Sequence, residues 1–287
     1  MGGVPEERVD VAMSGRILRS VSSPGPHWPI DHARLAGTRF TDVRIFDEVG
    51  STNTELMEAA RAGAPEGVVV VADHQAAGRG RLGRTWSAAP GTSLLVSVLL
   101  RPSLPAGDMA LVNTAAGLAA ADAVHASAGF RPGLKWPNDL VVPGRPHRKL
   151  AGMLSESSPE EGGPPAVVVG LGFNVTAGAY PEELAGVATS CEEEAGRPVD
   201  RAALLTAFLE ALERRYSVLL AGGAQATLEA YRADSATLGR QVRVELPAGV
   251  VEGVASRLAA NGELVVTDNG GKEVQVSAGD VIHLRPR

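Results

Sequence analysis

Residues 78–86 read Gly-Arg-Gly-Arg-Leu-Gly-Arg-Thr-Trp, and an apolar run lies on each side of them. The glycines spell G-x-G-x-x-G, a spacing that binds dinucleotides when it follows a strand and opens a helix. Here residues 68–72 and 92–100 are both apolar runs of strand length, so the segment joins two strands. This order excludes the dinucleotide-binding fold, and the other motifs of a protein kinase are missing. The segment therefore predicts a sheet with a cationic loop between two buried strands.

The composition of this arginine loop (residues 78–86) predicts that it binds an anion. Its three glycines let main-chain N–H groups come close to a ligand. Its arginines offer planar cationic groups that pair well with phosphate or carboxylate: Arg79, Arg81 and Arg84. The alternative is a solvated surface loop, or one that touches nucleic acid without sequence preference.

The totals bound the class of protein. A chain of 287 residues, 44% hydrophobic, is long enough for one large core and a second small domain. The net charge of −6 argues against a surface built mainly to bind nucleic acid. One cysteine, Cys191, excludes an internal disulfide and a cysteine-based zinc site, which favours a cytoplasmic location. No apolar run approaches the roughly 20 residues of a membrane span, so no membrane association is expected.

Lysine is rare in this chain. Only Lys135, Lys149 and Lys272 are present among 27 basic residues, and the rest are arginine. Because arginine serves wherever any cation will do, a retained lysine indicates a place that needs a compact ammonium group.

The order of the patterns predicts three regions. Residues 1–40 are proline-rich without a helical period, which predicts an extended or partly disordered arm and no DNA-binding helix-turn-helix module. Residues 41–235 mix strand and helix patterns, which predicts an α+β domain with a mixed β-sheet flanked by helices. Residues 238–287 alternate in short segments between turns, which predicts a small β-barrel.

Within the middle region, the strands are predicted at 43–46, 68–72, 92–100, 140–142, 149–155 and 167–175. Helices are predicted from Thr52, with Glu55 completing a capping box, over 108–128 up to Gly129, and from an Asp200 cap to about 219. The C-terminal strands are predicted at 241–245, 250–258, 264–267, 273–276 and 281–284.

Five motifs stand in order between residues 45 and 180. They are Ser-Thr-Asn at 51–53, the arginine loop, Lys-Trp-Pro-Asn-Asp-Leu at 135–140, Arg-Lys-Leu-Ala-Gly-Met-Leu-Ser-Glu at 148–156, and Gly-Leu-Gly-Phe-Asn at 170–174. Each motif is weak alone, but their order and spacing closely resemble biotin protein ligases. The resemblance implies a catalytic domain like that of class II synthetases and biotin ligases, followed by an SH3-like β-domain. It further implies the short form of the family, without an N-terminal DNA-binding domain.

This resemblance implies a two-step reaction. Biotin and ATP, with Mg²⁺, give biotinyl-5′-AMP and pyrophosphate. A lysine of a biotin carboxyl carrier domain, from an acyl-CoA or pyruvate carboxylase, then accepts the biotinyl group. Because the adenylate is a mixed anhydride that water destroys, the arginine loop is expected to be mobile when empty and to fold over the intermediate.

The resemblance also implies roles for residues at matching motif positions. Catalytic roles fall to Lys149, Arg81 and Asp139, and Asp139 is the candidate Mg²⁺ ligand. The implied biotin contacts are Ser51, Thr52, Asn53, Gln75, Gly78, Arg79, Gly80, Arg81, Trp86, Lys149 and Gly152. The implied ATP or adenylate contacts are Arg79, Arg81, Arg84, Trp86, Asn138, Lys149 and Asn174.

Plainer interpretations stay open for some of these residues. Thr52 also fits a helix cap, Trp86 a core side chain, and Asn138-Asp139 a turn after Pro137. Two other functions also stay open. One is a lipoate or octanoyl ligase of the same fold. The other is a nucleic-acid-binding regulator, against which the negative net charge and the lack of an N-terminal module argue.

Overall fold

The structure is a computed structural model that describes residues 28–144, 147–159, 163–246, 249–277 and 279–283. A seven-stranded sheet forms its centre, in the order β1-β2-β3-β7-β6-β5-β4. The strands are β1 Val43–Val49, β2 Val69–Gln75, β3 Ser93–Leu100, β4 Gly133–Lys135, β5 Asp139–Val142, β6 Arg148–Ser158 and β7 Ala166–Asn174. Only β1 and β2 run parallel, and the other neighbours are antiparallel, so the predicted mixed sheet is confirmed.

Helices cover both faces of this sheet. They are α1 His32–Leu35, α2 Thr52–Arg61, α3 Ala110–Ala128, α4 Cys191–Ala195, α5 Arg201–Leu220 and α6 Ala224–Asp234. Helix α2 packs Leu56 and Met57 on one face, while α3 and α5 pack together on the other. Every residue of β3 and β7 is buried as a result, which explains why both read as continuous apolar runs. Alanines dominate α3 because it is buried on nearly all sides.

The predicted ends of the long helices are confirmed. Helix α3 ends at Gly129, whose φ of 84° is the left-handed conformation that glycine adopts readily. Asp200 caps α5, because its side chain accepts a hydrogen bond from the N–H of Ala202.

Three expectations need correction. The capping box at Thr52 is wrong: Ser51 is the N-cap of α2, and the Thr52 hydroxyl is bonded elsewhere. Strand β4 and helix α6 were not predicted, because β4 is only three residues long and α6 presents few large apolar residues. Residues 28–40, expected in the arm, instead pack on the core.

The packing of residues 28–40 has a clear physical basis. Trp28, Leu35 and Phe40 are all buried in the main core. The guanidinium of Arg201 lies 4.5 Å from the centre of the Trp28 ring. The side chain of Arg39 is ion-paired with Glu213 of α5 at 2.9 Å. The prediction for residues 1–27 lies outside the described residues.

The C-terminal strands form a separate five-stranded sheet, in the order β11-β10-β9-β8-β12, with all neighbours antiparallel. They are β8 Gln241–Leu246, β9 Gly249–Leu258, β10 Leu264–Asp268, β11 Glu273–Val276 and β12 Asp280–His283. All five predicted strands are confirmed to within a residue, except that Leu284 lies outside the described residues. The backbone and indole N–H groups of Trp136 donate to Thr237 Oγ1 and to the Gly262 carbonyl, which holds this sheet beside β4. No helix in the described ranges has the length and hydropathy needed to cross a membrane.

Candidate active site

A central cavity opens where the arginine loop crosses β5, β6 and β7. It brings together most of the residues singled out in the sequence: Ser51, Thr52, Asn53, Gln75, Arg79, Gly80, Arg81, Arg84, Trp86, Asn138, Asp139, Lys149 and Gly152. Gly78 and Asn174 do not line it. Several further residues line the cavity that were not among the predicted site residues: Thr85, Met153, Leu154, Gly170, Leu171, Gly172 and Asp280.

The arginine loop is a short hairpin closed by backbone pairing. The N–H of Gly80 donates to the Arg84 carbonyl at 2.6 Å, and the N–H of Trp86 donates to the Gly78 carbonyl at 3.0 Å. A Cβ on Gly78 would lie 2.3 Å from the Trp86 carbonyl oxygen, so only glycine fits at this position. Gly78 thus closes the base of the loop from outside the cavity. At the tip, Leu82 has a φ of 56°, unusual for a residue with a side chain, and is 69% exposed.

The three arginines of the loop have different partners. Arg79 forms an ion pair with Glu156 at 2.7 Å, and Arg84 forms one with Asp280 of the C-terminal sheet. Arg81 instead donates to Asn138 Oδ1 at 3.2 Å and to the Gly279 carbonyl at 3.4 Å, and it forms no salt bridge with any residue that the structure describes. Burial lowers the pKa of Arg81, yet a guanidinium stays protonated in proteins. Of the three loop arginines, Arg81 is therefore the one without a salt bridge to a described carboxylate.

Lys149 lines the same cavity from strand β6. Its Nζ lies 2.7 Å from Asp139 Oδ1 and 5.5 Å from the centre of the Trp86 ring. Its backbone N–H donates to the Val187 carbonyl at 2.7 Å, and its carbonyl accepts from Thr189 at 2.9 Å. These backbone hydrogen bonds on one side of β6, and the pairing of β6 with β5 on its other side, fix the main chain of Lys149. Mainly its side chain is left free to move.

Three further motif residues, Asn138, Asp139 and Asn174, lie in or next to the cavity wall. The amide of Asn174 is buried behind Lys149 and donates to the Thr189 carbonyl at 3.0 Å, so its predicted nucleotide contact stays a prediction. Asn138 and Asp139 do lie at the β4–β5 turn, and both also line the cavity. Burial lowers the pKa of Lys135, while the nearby carboxylate of Asp139 opposes that shift.

The other end of the cavity is lined by uncharged polar groups. The hydroxyl and the N–H of Thr52 both donate to Gln75 Oε1, at 3.0 and 2.8 Å. The Ser97 hydroxyl lies 2.7 Å from Thr52 Oγ1 and 2.7 Å from Asn53 Oδ1. Because Gln75 uses its oxygen within the protein, its NH₂ group remains to donate to a ligand. Ser97 was not predicted as a site residue, because a small polar residue inside an apolar strand carries no motif.

Trp86 lies flat on two glycines that face each other across neighbouring strands. Gly152 of β6 pairs with Gly172 of β7. A Cβ on Gly172 would lie 2.4 Å from Trp86 Cε2, and one on Gly152 would lie 2.9 Å from Cζ3. The indole N–H has no acceptor among the described residues. The two glycines thus make room for the ring, which forms an apolar wall between the polar end and Lys149.

Comparison with known proteins agrees with this geometry. Residues 46–174 match the biotin/lipoate A/B protein ligase family, and residues 237–284 match the biotin protein ligase C-terminal domain. The chain is 41% identical over 269 residues to the biotin–[acetyl-CoA-carboxylase] ligase of Mycobacterium tuberculosis, covering 90% of this chain and 97% of that enzyme. This chain belongs to the biotin protein ligase family.

Other biotin protein ligases show the same relationship. The bifunctional ligase/repressor BirA of Bacillus subtilis is 32% identical over 227 residues, which cover 78% of this chain and 69% of that protein. The biotin protein ligase of Aquifex aeolicus, solved with biotin and ATP, superposes with a TM-score of 0.75 at 27% identity. That match covers 85% of this chain and all of the other.

Proposed function

We propose that this protein is an ATP-dependent biotin protein ligase, which forms biotinyl-5′-AMP and then transfers biotin to a lysine of a carboxyl carrier domain. The observation that carries the proposal is the position of Lys149 and Arg81 on two walls of one cavity, with Thr52 and Gln75 at its uncharged end. We expect the carboxylate of biotin and the α-phosphate of ATP to meet between Lys149 and Arg81. The polar ring of biotin then binds at the uncharged end, beside Thr52 and Gln75.

The first step joins two anions, which sets the electrostatic requirement. The biotin carboxylate attacks the α-phosphorus of ATP, and pyrophosphate leaves. Two unit charges about 4 Å apart repel by about 4 kcal/mol at an effective dielectric of about 20. Arg81 supplies a positive charge that forms no salt bridge with the described residues, and Lys149 supplies a second. Asp139 holds the Lys149 ammonium in place until the substrates bind, because the two side chains form an ion pair of 2.7 Å.

Mg²⁺ fits this site as an ion that ATP brings with it. The described residues contain no group of three or more carboxylate, histidine or cysteine side chains suited to hold a metal. Mg²⁺ at nucleotide sites commonly uses one or two carboxylates together with phosphates and waters. We therefore propose Asp139, which lines the cavity, as the protein's contribution to an ion that neutralises the phosphate charge.

In the second step, the acceptor lysine amine attacks the biotinyl carbonyl, and AMP leaves. The name of the Mycobacterium relative supports a carboxylase carrier domain as the acceptor.

A reducing compartment such as the cytoplasm fits the single cysteine, Cys191, which is buried and whose pKa burial raises to about 12.

The competing lipoate or octanoyl ligase shares the fold of residues 46–174. The match of residues 237–284 to the biotin ligase C-terminal domain favours biotin. The test is pyrophosphate release from ATP by the purified protein with biotin, lipoate or octanoate as the acid. Release with biotin alone supports the proposal. Release with lipoate or octanoate but not with biotin contradicts it.

A further inference from the structure

Asn53 lines the central cavity, but its polar atoms are turned into the protein. Its Nδ2 donates to the Leu154 carbonyl at 3.0 Å and to Glu156 Oε2 at 2.9 Å, while its Oδ1 lies 2.7 Å from the Ser97 hydroxyl. Only 4% of Asn53 is exposed. Its amide is therefore already used within the protein, and a direct contact with biotin does not explain its position.

The strands beneath Asn53 are shaped to receive it. Ser97 of β3 pairs with Gly170 of β7, which in turn pairs with Leu154 of β6. A Cβ on Gly170 would lie 2.1 Å from Asn53 Oδ1 and 3.1 Å from Ser97 Oγ. Strand β7 thus has no side chain at Gly170, and the Asn53 amide occupies that space. The surrounding contacts hold the amide in one position.

Glu156 connects this buried amide to the arginine loop. Its Oε2 accepts from Asn53 Nδ2 at 2.9 Å and from Arg79 Nη2 at 2.7 Å. Arg79 also donates to the Thr54 hydroxyl at 3.2 Å, which ties the same guanidinium to α2. One carboxylate oxygen therefore joins the first turn of α2 to the base of the loop.

The contacts form a continuous chain across the cavity floor. It runs from Gln75 to Thr52, through Ser97 to Asn53, and through Glu156 to Arg79. Every link is a polar contact of 3.0 Å or less, and the last one is an ion pair. Thr52 and Ser97 have one hydroxyl proton each, and the Thr52 N–H, 2.8 Å from Gln75 Oε1, supplies the third donor that the chain needs.

We propose that Glu156 is a positioning residue of the biotin site, which acts through Asn53 and Arg79 to fix the polar end of the cavity and the base of the arginine loop in one arrangement. In this role Arg79 is an anchor of the loop, and Arg81 and Arg84 are left to meet the phosphates. The inference rests on the proposed function, because biotin is the ligand whose binding the arrangement serves.

The first test measures biotin-dependent pyrophosphate release for Glu156→Ala, Arg79→Ala and the double variant. Each single variant is expected to raise KM for biotin about 10-fold, as loss of a charge-assisted hydrogen bond does, with kcat changed by less than about twofold. The double variant is expected to match Glu156→Ala and not to reach about 100-fold, because Glu156→Ala already removes the contact that Arg79→Ala removes. Glu156→Gln keeps an acceptor oxygen and is expected to restore part of the loss.

Glu273→Ala is the matched control, because Glu273 forms a 2.6 Å ion pair with Arg257 in the C-terminal sheet. It is expected to leave KM unchanged. A wild-type KM in Glu156→Ala, or multiplicative effects in the double variant, would overturn the inference.

A second readout does not depend on catalysis. Trypsin cleaves after arginine, so its rate of cleavage after Arg81 and Arg84 reports how firmly the loop is held. Glu156→Ala is expected to be cleaved there about fivefold faster or more than wild type and Glu273→Ala, since local opening exposes the loop. An unchanged rate would overturn the inference even if the wild-type protein were inactive with biotin. A wild-type protein that releases no pyrophosphate, with faster cleavage of Glu156→Ala, would contradict only the proposed function.

Discussion

Substitution of Gly172 by alanine tests the wall formed by Trp86. The new Cβ would lie 2.4 Å from Cε2, 2.7 Å from Cζ2 and 2.8 Å from Nε1 of the ring. Carbon atoms pack at about 3.5 Å or more, so the ring must move by about 1 Å. The Trp86 ring lines the cavity. We therefore expect the ring to move into the space that a ligand needs, while β7 stays in place.

The cost of this movement is expected in ligand binding. Overpacking typically costs about 1–3 kcal/mol, which corresponds to about 5- to 150-fold in affinity. We therefore expect Gly172→Ala to weaken biotin binding by about that factor, with little loss of thermal stability. Gly152→Ala is expected to have a smaller effect, because its Cβ would meet Trp86 at 2.9 Å and the flexible Lys149 side chain at 3.0 Å.

Isothermal titration with biotin measures the affinity, and tryptophan fluorescence reports the movement of the ring. Gly107→Ala is the control, since no atom lies within 4 Å of a Cβ at that position. Unchanged affinity and fluorescence in Gly172→Ala would refute the role of the glycine pair. A drop of several degrees in Tm would show instead that the core absorbs the clash.

Three further predictions concern the arginine loop and the C-terminal sheet. Arg81→Gly is expected to release biotinyl-5′-AMP early and so to biotinylate lysines of unrelated proteins, and a streptavidin blot without stray labelling, from a variant whose adenylate formation is normal by mass spectrometry, would contradict this. Asp280→Ala, which removes a partly exposed ion pair with Arg84, is expected to increase adenylate escape about two- to fivefold, measured as free biotinyl-5′-AMP by mass spectrometry, and escape at the wild-type level would contradict this. Burial lowers the pKa of His283 to about 4, so the unfolded state binds more protons between pH 6.5 and 4, and stability is lost as pH falls through that range. Allowing for partial exposure, unfolding at pH 5 should be easier than at pH 7 by about 1 kcal/mol, a difference that denaturant titration should not find in His283→Asn.

Local patterns in the sequence predicted most of the fold. Buried strands such as β3 and β7 read as continuous apolar runs because helices cover both faces of the sheet. The C-terminal strands alternate between turns, and their boundaries followed from that alternation. Helix α6 was missed because, of its eleven residues, only Thr227, Leu228 and Tyr231 are buried.

Contacts between distant residues were not predictable in the same way. Arg84 and Asp280 are 196 positions apart, and Arg79 and Glu156 are 77 apart, so no local pattern links them. The three loop arginines were identified from their motif. The sequence did not indicate that, of these three, Arg81 is the one that forms no salt bridge with a described carboxylate. Thr52 was misread as a cap because a threonine followed by Glu55 fits that pattern equally well.

The most direct test of the account is mass spectrometric detection of biotinyl-5′-AMP after one turnover with biotin, ATP and Mg²⁺, for the wild type and Lys149→Ala. The wild type is expected to form the adenylate. Lys149→Ala is expected to form at least about 100-fold less at an unchanged Tm, as when a group that stabilises developing charge is removed. Equal amounts of adenylate from the two proteins would contradict the role assigned to Lys149 and, with it, the proposed mechanism.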